Sequence, residues 1–147
     1  MATRSLLRAA VVALPLAAGC RTAAPSALAP GDPLRPCPSS PNCVSTEARD
    51  AGHAMPPVAY QGSAAEAQRR ARAALLAEPR TRIVDERPGY LRAEARTRIL
   101  RFVDDVEVVV DSAAHQIRFR SASRVGHSDL GVNRARMLRF TERFNAR

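Results

Sequence analysis

The sequence has no tryptophan, no lysine and no apolar run long enough to cross a membrane. With only two tyrosines and four phenylalanines, the apolar content rests largely on Ala, Val and Leu. The lack of lysine makes all 23 strongly basic side chains arginine. A guanidinium is never neutralised, so this cationic set does not titrate. The longest early apolar run is Ala9 to Ala18, about half of what a spanning helix needs. A Gly-x-Ser-x-Gly motif is also absent, which excludes the nucleophile elbow of one large class of hydrolases.

The 147 residues carry a formal charge of +9, and this length is the size of one domain plus a leader. A core of roughly 100 residues can fold without metals or many disulfides. A basic chain invites a nucleic-acid reading. Here, however, the arginines are interleaved with acids, as in Asp85-Glu86-Arg87 and Arg92-Ala93-Glu94-Ala95-Arg96. Such interleaving describes a solvated surface with local pairs, and no nucleic-acid partner is expected.

Residues 1–19 read as an export signal: Arg4 and Arg8, then the short apolar run, then Leu16-Ala17-Ala18-Gly19-Cys20. Small residues before a cysteine look like a bacterial lipobox, which predicts lipidation of Cys20 as the new N-terminus. Cleavage removes two arginines and no acid, so the charge falls from +9 to +7. Residues 20–36, rich in Ala and Pro, lack the large apolar side chains of a core and predict a flexible tether. The folded domain is then expected over residues 37–147. Cys37 and Cys43 lie in a proline-rich loop, and in an exported chain two such cysteines most simply form a disulfide. Free thiols, or a metal pair with His53 as third ligand, are the alternatives; the metal set falls short of the four ligands of a structural zinc site.

Further along, Ser63-Ala64-Ala65-Glu66 is a capping box opening a helix towards Glu78, with Ala67, Ala71, Ala74 and Leu75 on one face. Four strand-like segments follow, around Ile83-Val84 and over 90–98, 102–110 and 116–121. Matching the apolar faces of the last two pairs Val110 with Ile117 and Val108 with Phe119. A slip of one residue would turn Arg118 and Arg120 into the core. This register sets Glu107 opposite Arg120, with Asp105 one diagonal step away. A helix from about Leu130 to Phe144, capped by Ser128 or Asp129, carries Met137, Phe140, Thr141 and Phe144 in one stripe. The expected fold is α+β: a small four-stranded antiparallel sheet flanked by an N-terminal and a C-terminal helix, both on one face.

Three segments carry a resemblance: Cys37 to Ser45, Phe102 to Glu107, and Arg120 to Arg134 excluding His127. In this order the chain resembles the bacterial and plastid family known as domain of unknown function 1499, over about residues 37–140. The resemblance implies a single folded domain and carries no activity.

The polar residues around 120–134 are the candidates for function. Ser121, Ser123 or Ser128 with His127 and Asp129 offer a nucleophile, base and orienter by type alone. Asp104 and Asp105 point to opposite sheet faces, so a metal would find at most Asp105 and Glu107, beside Arg120. An anion could meet Arg120, Arg124 and the first N–H groups of the last helix, unless Asp129 caps that helix and Asp104 neutralises Arg124. Asp104, Asp105, Glu107, Arg120, Arg124, Asp129, Asn133 and Arg134 are therefore named as a ligand site or a polar network, with no catalytic residue, metal or cofactor assigned. The expected role is a non-enzymatic interaction or structural module of a cell-envelope lipoprotein. Anion binding and hydrolysis through Ser, His127 and Asp129 are the alternatives. The membrane is the expected partner through the lipid, with an envelope protein as a further one. Arg21 is not the Asp that retains lipoproteins at the inner membrane in enteric-type bacteria. The expected location therefore faces the periplasm, at the inner leaflet of the outer membrane.

Overall fold

The computed structural model describes Asp32 and residues 34–146. The predicted signal, Cys20 and most of the tether lie outside the described residues. The chain runs β1 (Cys43–Ser45), β2 (Val58–Ala59), α1 (Ala64–Leu76), β3 (Thr81–Arg87), β4 (Tyr90–Arg96), β5 (Val103–Asp111), β6 (Gln116–Ser123) and α2 (Val132–Asn145). The fold is α+β as expected, but the sheet has six strands rather than four, in the order β1-β6-β5-β4-β3, with β2 also on β6. The two additional strands have three and two residues, too short for a period of two to show. They are held by pairing alone, β1 on Arg120 to Ala122 and β2 on Gln116 and Ile117. Together they cover the outer edge of β6, which would otherwise present unpaired backbone groups.

The central hairpin has the predicted register, Val110 against Ile117 and Val108 against Phe119. Pro88-Gly89 turns β3 into β4, with Gly89 at φ +78°, where a side chain would be strained. Gln68 of α1 clamps this turn, accepting from the Gly89 N–H at 2.7 Å and donating to the Arg87 carbonyl at 2.9 Å. At the start of α1 the Ser63 hydroxyl accepts from the Glu66 N–H, as the capping sequence requires.

Both helices cover one face of the sheet. Ala67, Ala71, Ala74 and Leu75 of α1 and Met137, Phe140 and Phe144 of α2 pack on Leu91, Ala93, Val106, Val108, Val110, Ile117 and Phe119. The alanine face lets α1 approach closely; the aromatic stripe of α2 fills the wider gap over β6, where Phe119 meets Phe140 edge-on. Every member of this core lies between Val44 and Phe144, so the segment buries its own interior. The opposite face carries a smaller apolar cluster of Leu34, Tyr90 and Val109. Leu34 is 3 % exposed, and Arg35 pairs with Glu107. The packed structure thus includes residues before Cys37, within the segment assigned by composition to the tether. Two residues are too few to change a composition window.

Candidate functional site at the strand–helix junction

The strand β5 divides the named acids between the two faces, because successive side chains of a strand point to opposite sides. Asp104 turns towards α2, while Asp105 and Glu107 turn to the helix-free face.

On the helix side, Arg136 is bonded through Nη2 to Asp104 at 2.5 Å. Its Nη1 donates to the Asn133 side-chain oxygen at 2.6 Å and to Ser121 Oγ at 3.1 Å. Ser123 Oγ donates to the second oxygen of Asp104 at 2.6 Å. The Asn133 amide nitrogen donates to the Asn42 carbonyl at 3.0 Å and to Asp129 at 2.7 Å. Asn42 closes the circuit by donating to the Gly126 carbonyl at 2.6 Å. The Cys37–Cys43 disulfide, with an S–S distance of 2.05 Å, holds the loop that brings Asn42 there. Such a network suits a buried site because each polar group finds a partner.

Asp129 performs the capping role anticipated for it from an unanticipated place. The helix begins at Val132, and its N-cap is Gly131 in the left-handed region, which has no side chain to offer. Asp129 instead accepts from the N–H groups of Gly131 at 2.9 Å and Asn133 at 2.7 Å. Its carboxylate occupies the donors that an incoming anion would use.

The helix-free face holds a second array. Arg124 pairs with Asp105 at 2.7 Å and Glu94 at 2.6 Å, not with Asp104 as anticipated. Arg124 follows the end of β6 on the far side from α2, so Asp104 goes to a residue of α2 instead. These bonds raise the Arg124 pKa above its ordinary value despite partial burial. Glu107 is fully buried; it accepts from Arg35 at 2.6 Å and from the Tyr90 hydroxyl at 3.1 Å. Arg120, its partner across the ladder, stands farther off at 3.8 Å. Burial lowers the Arg120 pKa and Glu107 opposes the shift. Arg134 joins neither array: it donates to the carbonyls of Ala54 and Gly52.

Arg139 and Arg143 converge on Glu78, and Arg82 joins Arg124 on Glu94. Burial pushes both glutamates up, but their arginine partners outweigh it and leave each below its ordinary value. A depressed carboxyl adds stability that is complete above the unfolded pKa, near 4.5, and is lost as pH falls through the lower folded value. The melting temperature is therefore expected to hold from neutral pH to about 5 and then fall. Glu78→Gln should flatten that fall; an unchanged acid slope in this variant would refute the assignment.

His127 is exposed, and among the described residues no hydrogen bond joins it to a serine or to Asp129. His53 bonds Asp50 at 2.7 Å and the Ser40 carbonyl at 3.1 Å. The Ser40 carbonyl, with Asp50, raises the His53 pKa against the opposing effect of burial. Among the described residues no three His, Cys, Asp or Glu side chains gather to hold a metal, and no helix is long and apolar enough to cross a membrane.

Sequence reasoning named none of Arg136, Asn42 and Glu94 as candidates, and it also missed an apolar surface. A cleft of about 490 Å³ opens between the β4–β5 loop and the β6–α2 junction. Ile99, Leu100, Phe102, Val125, Leu130 and Val132 line it, over Asp104, Ser123 and Asp129. Ile99 and Leu130 are 86 % and 94 % exposed. Six of the eight large exposed apolar side chains of the described residues thus share one site, whereas scattered single ones are the ordinary case. Each flanking loop also holds a non-glycine residue at positive φ, Arg101 at +53° and Leu130 at +54°. Two adjacent large apolar residues in the gap between predicted strands, Ile99-Leu100, were the available signal.

The family described as "Protein of unknown function (DUF1499)" matches residues 33–144. No curated protein and no solved structure matches the chain.

Proposed function

This chain belongs to the family described as Protein of unknown function (DUF1499), and we propose that it is a non-enzymatic interaction module of a cell-envelope lipoprotein. Residues 1–19 are the signal, Cys20 carries the lipid, and the domain stands off the periplasm-facing leaflet on a short tether. In a cell with two membranes this leaflet is that of the outer membrane. The binding surface is the cleft, and an envelope protein or the membrane itself is the class of partner.

The observation that supports this reading is the gathering of exposed Ile99, Leu100, Phe102, Val125, Leu130 and Val132 over a floor whose polar groups bond one another. Large exposed apolar side chains gathered in one place, rather than scattered singly, mark a contact. The floor gives no group a free role as nucleophile or base; Arg124, Arg134 and Arg136 bond carboxylates or carbonyls, while Arg120 stands 3.8 Å from Glu107.

The uncharged apolar dye Nile red tests the surface. It is expected to brighten on binding the domain from residue 33 onward. Leu100→Asp with Leu130→Asp should abolish this while leaving the melting temperature within a few degrees, since both side chains are exposed. Dye binding that survives the double substitution sinks the reading, as does its absence from the unsubstituted domain. Labelled palmitate incorporation into the full chain, lost in Cys20→Ser, tests the anchor separately.

A further inference from the structure

We infer that the cleft is a bilayer-docking surface, whose loops insert Ile99, Leu100, Phe102 and Leu130 into the headgroup region of an anionic membrane. This inference rests on the interaction reading above and names its partner.

The first argument is charge. Arg98, Ile99, Leu100, Arg101 and Phe102 are consecutive and all exposed. Among the described residues, neither Arg98 nor Arg101 makes an ion pair, while Asp104 and Asp129, the acids at the floor, are bonded to Arg136 and to the start of α2. The rim is therefore cationic in effect as well as apolar. Arginine is at home in protein interfaces too, so the arrangement decides: two guanidinium groups flank the apolar tips along one exposed loop. An anionic headgroup layer fits both parts, with guanidinium groups at the phosphates and apolar tips below them.

The second argument is reach. Leu34 sits beside Tyr90 and Val109, and the cleft lies at the other end of β5. Six residues of strand separate Val109 from Val103, roughly 20 Å. From a lipidated Cys20 the tether to Leu34 extends to roughly 50 Å, so the anchor and the cleft can meet one bilayer together. The tether also raises the local concentration of membrane, so a weak contact suffices.

The lack of tryptophan provides the test. Leu100→Trp and, at the opposite end of the sheet, Ala113→Trp each place one indole in the full acylated chain, reconstituted on vesicles. With phosphatidylglycerol in the vesicles, emission from the indole at position 100 should move to the blue and be quenched by brominated acyl chains, while the indole at position 113 stays in water. Neutralising Arg98→Gln and Arg101→Gln together should lower the docked-to-undocked ratio by about thirtyfold at low salt. Circular dichroism confirms that these surface variants fold, and raising the salt concentration with the Leu100→Trp chain alone gives the same reading without the arginine substitutions. The bilayer is overturned if the indole at position 100 stays in water, if that at position 113 is quenched equally, or if phosphatidylcholine vesicles serve as well. Should the position-100 indole stay in water while Nile red still fills the cleft, a protein partner is the occupant and the broader reading stands. Failure of the dye as well removes both.

Discussion

Arg136→Ala is expected to destabilise the domain by about 3–5 kcal/mol, measured by denaturant unfolding. Arg136 is 5 % exposed and Asp104 1 %, so their charges are screened little by water. Their bond at 2.5 Å satisfies both. Removing the guanidinium leaves a buried carboxylate held only by Ser123, and deprives Asn133 and Ser121 of their shared donor. The cost is that of an orphaned charge, not the net worth of the pair, and this distinction can be measured. Adding Asp104→Asn to Arg136→Met should recover part of the loss, because no charge then remains to be desolvated. A loss below about 1 kcal/mol in Arg136→Ala would falsify the buried network, since exposed pairs lie in that range. Leu138→Ala, half exposed on the same helix, serves as the control and should change stability by less than about 0.5 kcal/mol.

Phe140→Ala should cost a comparable amount, about 3–5 kcal/mol, for a different reason. Phe140 is fully buried between Phe119 and Phe144, at 6.1 Å from each ring. It is the contact through which α2 grips β6. Truncation loses the transfer energy of the ring and leaves a cavity that the sheet cannot close, because strand spacing is fixed by the ladder. The neighbouring rings of Phe119 and Phe144 are themselves fully buried, so neither can swing in to refill it without opening a void of its own. Phe140→Leu keeps most of the volume and should lose clearly less. Equal losses in the two variants would mean that the site collapses freely and that the ring is not a packing element. Because net stabilities of domains are about 5–15 kcal/mol, either alanine substitution removes a large share of the total.

The core was the legible part. Alternation along β5 and β6 fixed their register because the wrong register buries Arg118 and Arg120, a penalty visible in the residues alone. The α1 alanine face and the α2 aromatic stripe were readable for the same reason: period 3.6 must be matched by burial. The short strands β1 and β2 were not readable, since pairing rather than pattern makes them strands. Asp129 was readable as a cap by residue type, but not its position ahead of Gly131. The cleft was hidden because exposed apolar residues in loops have no period. Only the approach of residues 97–102 to residues 125–132 turns them into one surface.

Ion pairing shows where the boundary falls. Strand parity alone separates Asp104 from Asp105 and sets Glu107 across from Arg120. It cannot assign Arg124 or Arg136, because an arginine reaches several ångströms and its partner depends on which element lies above the sheet. The α2 axis brings Arg136 over Asp104, and the chain leaving β6 carries Arg124 to Asp105 and Glu94. The order of residues dictated which side chains had to be buried and in what register, since desolvation acts on each one locally. Which charges meet, and which apolar side chains are left outside together, was settled only by packing, because both depend on distances between segments far apart in the chain.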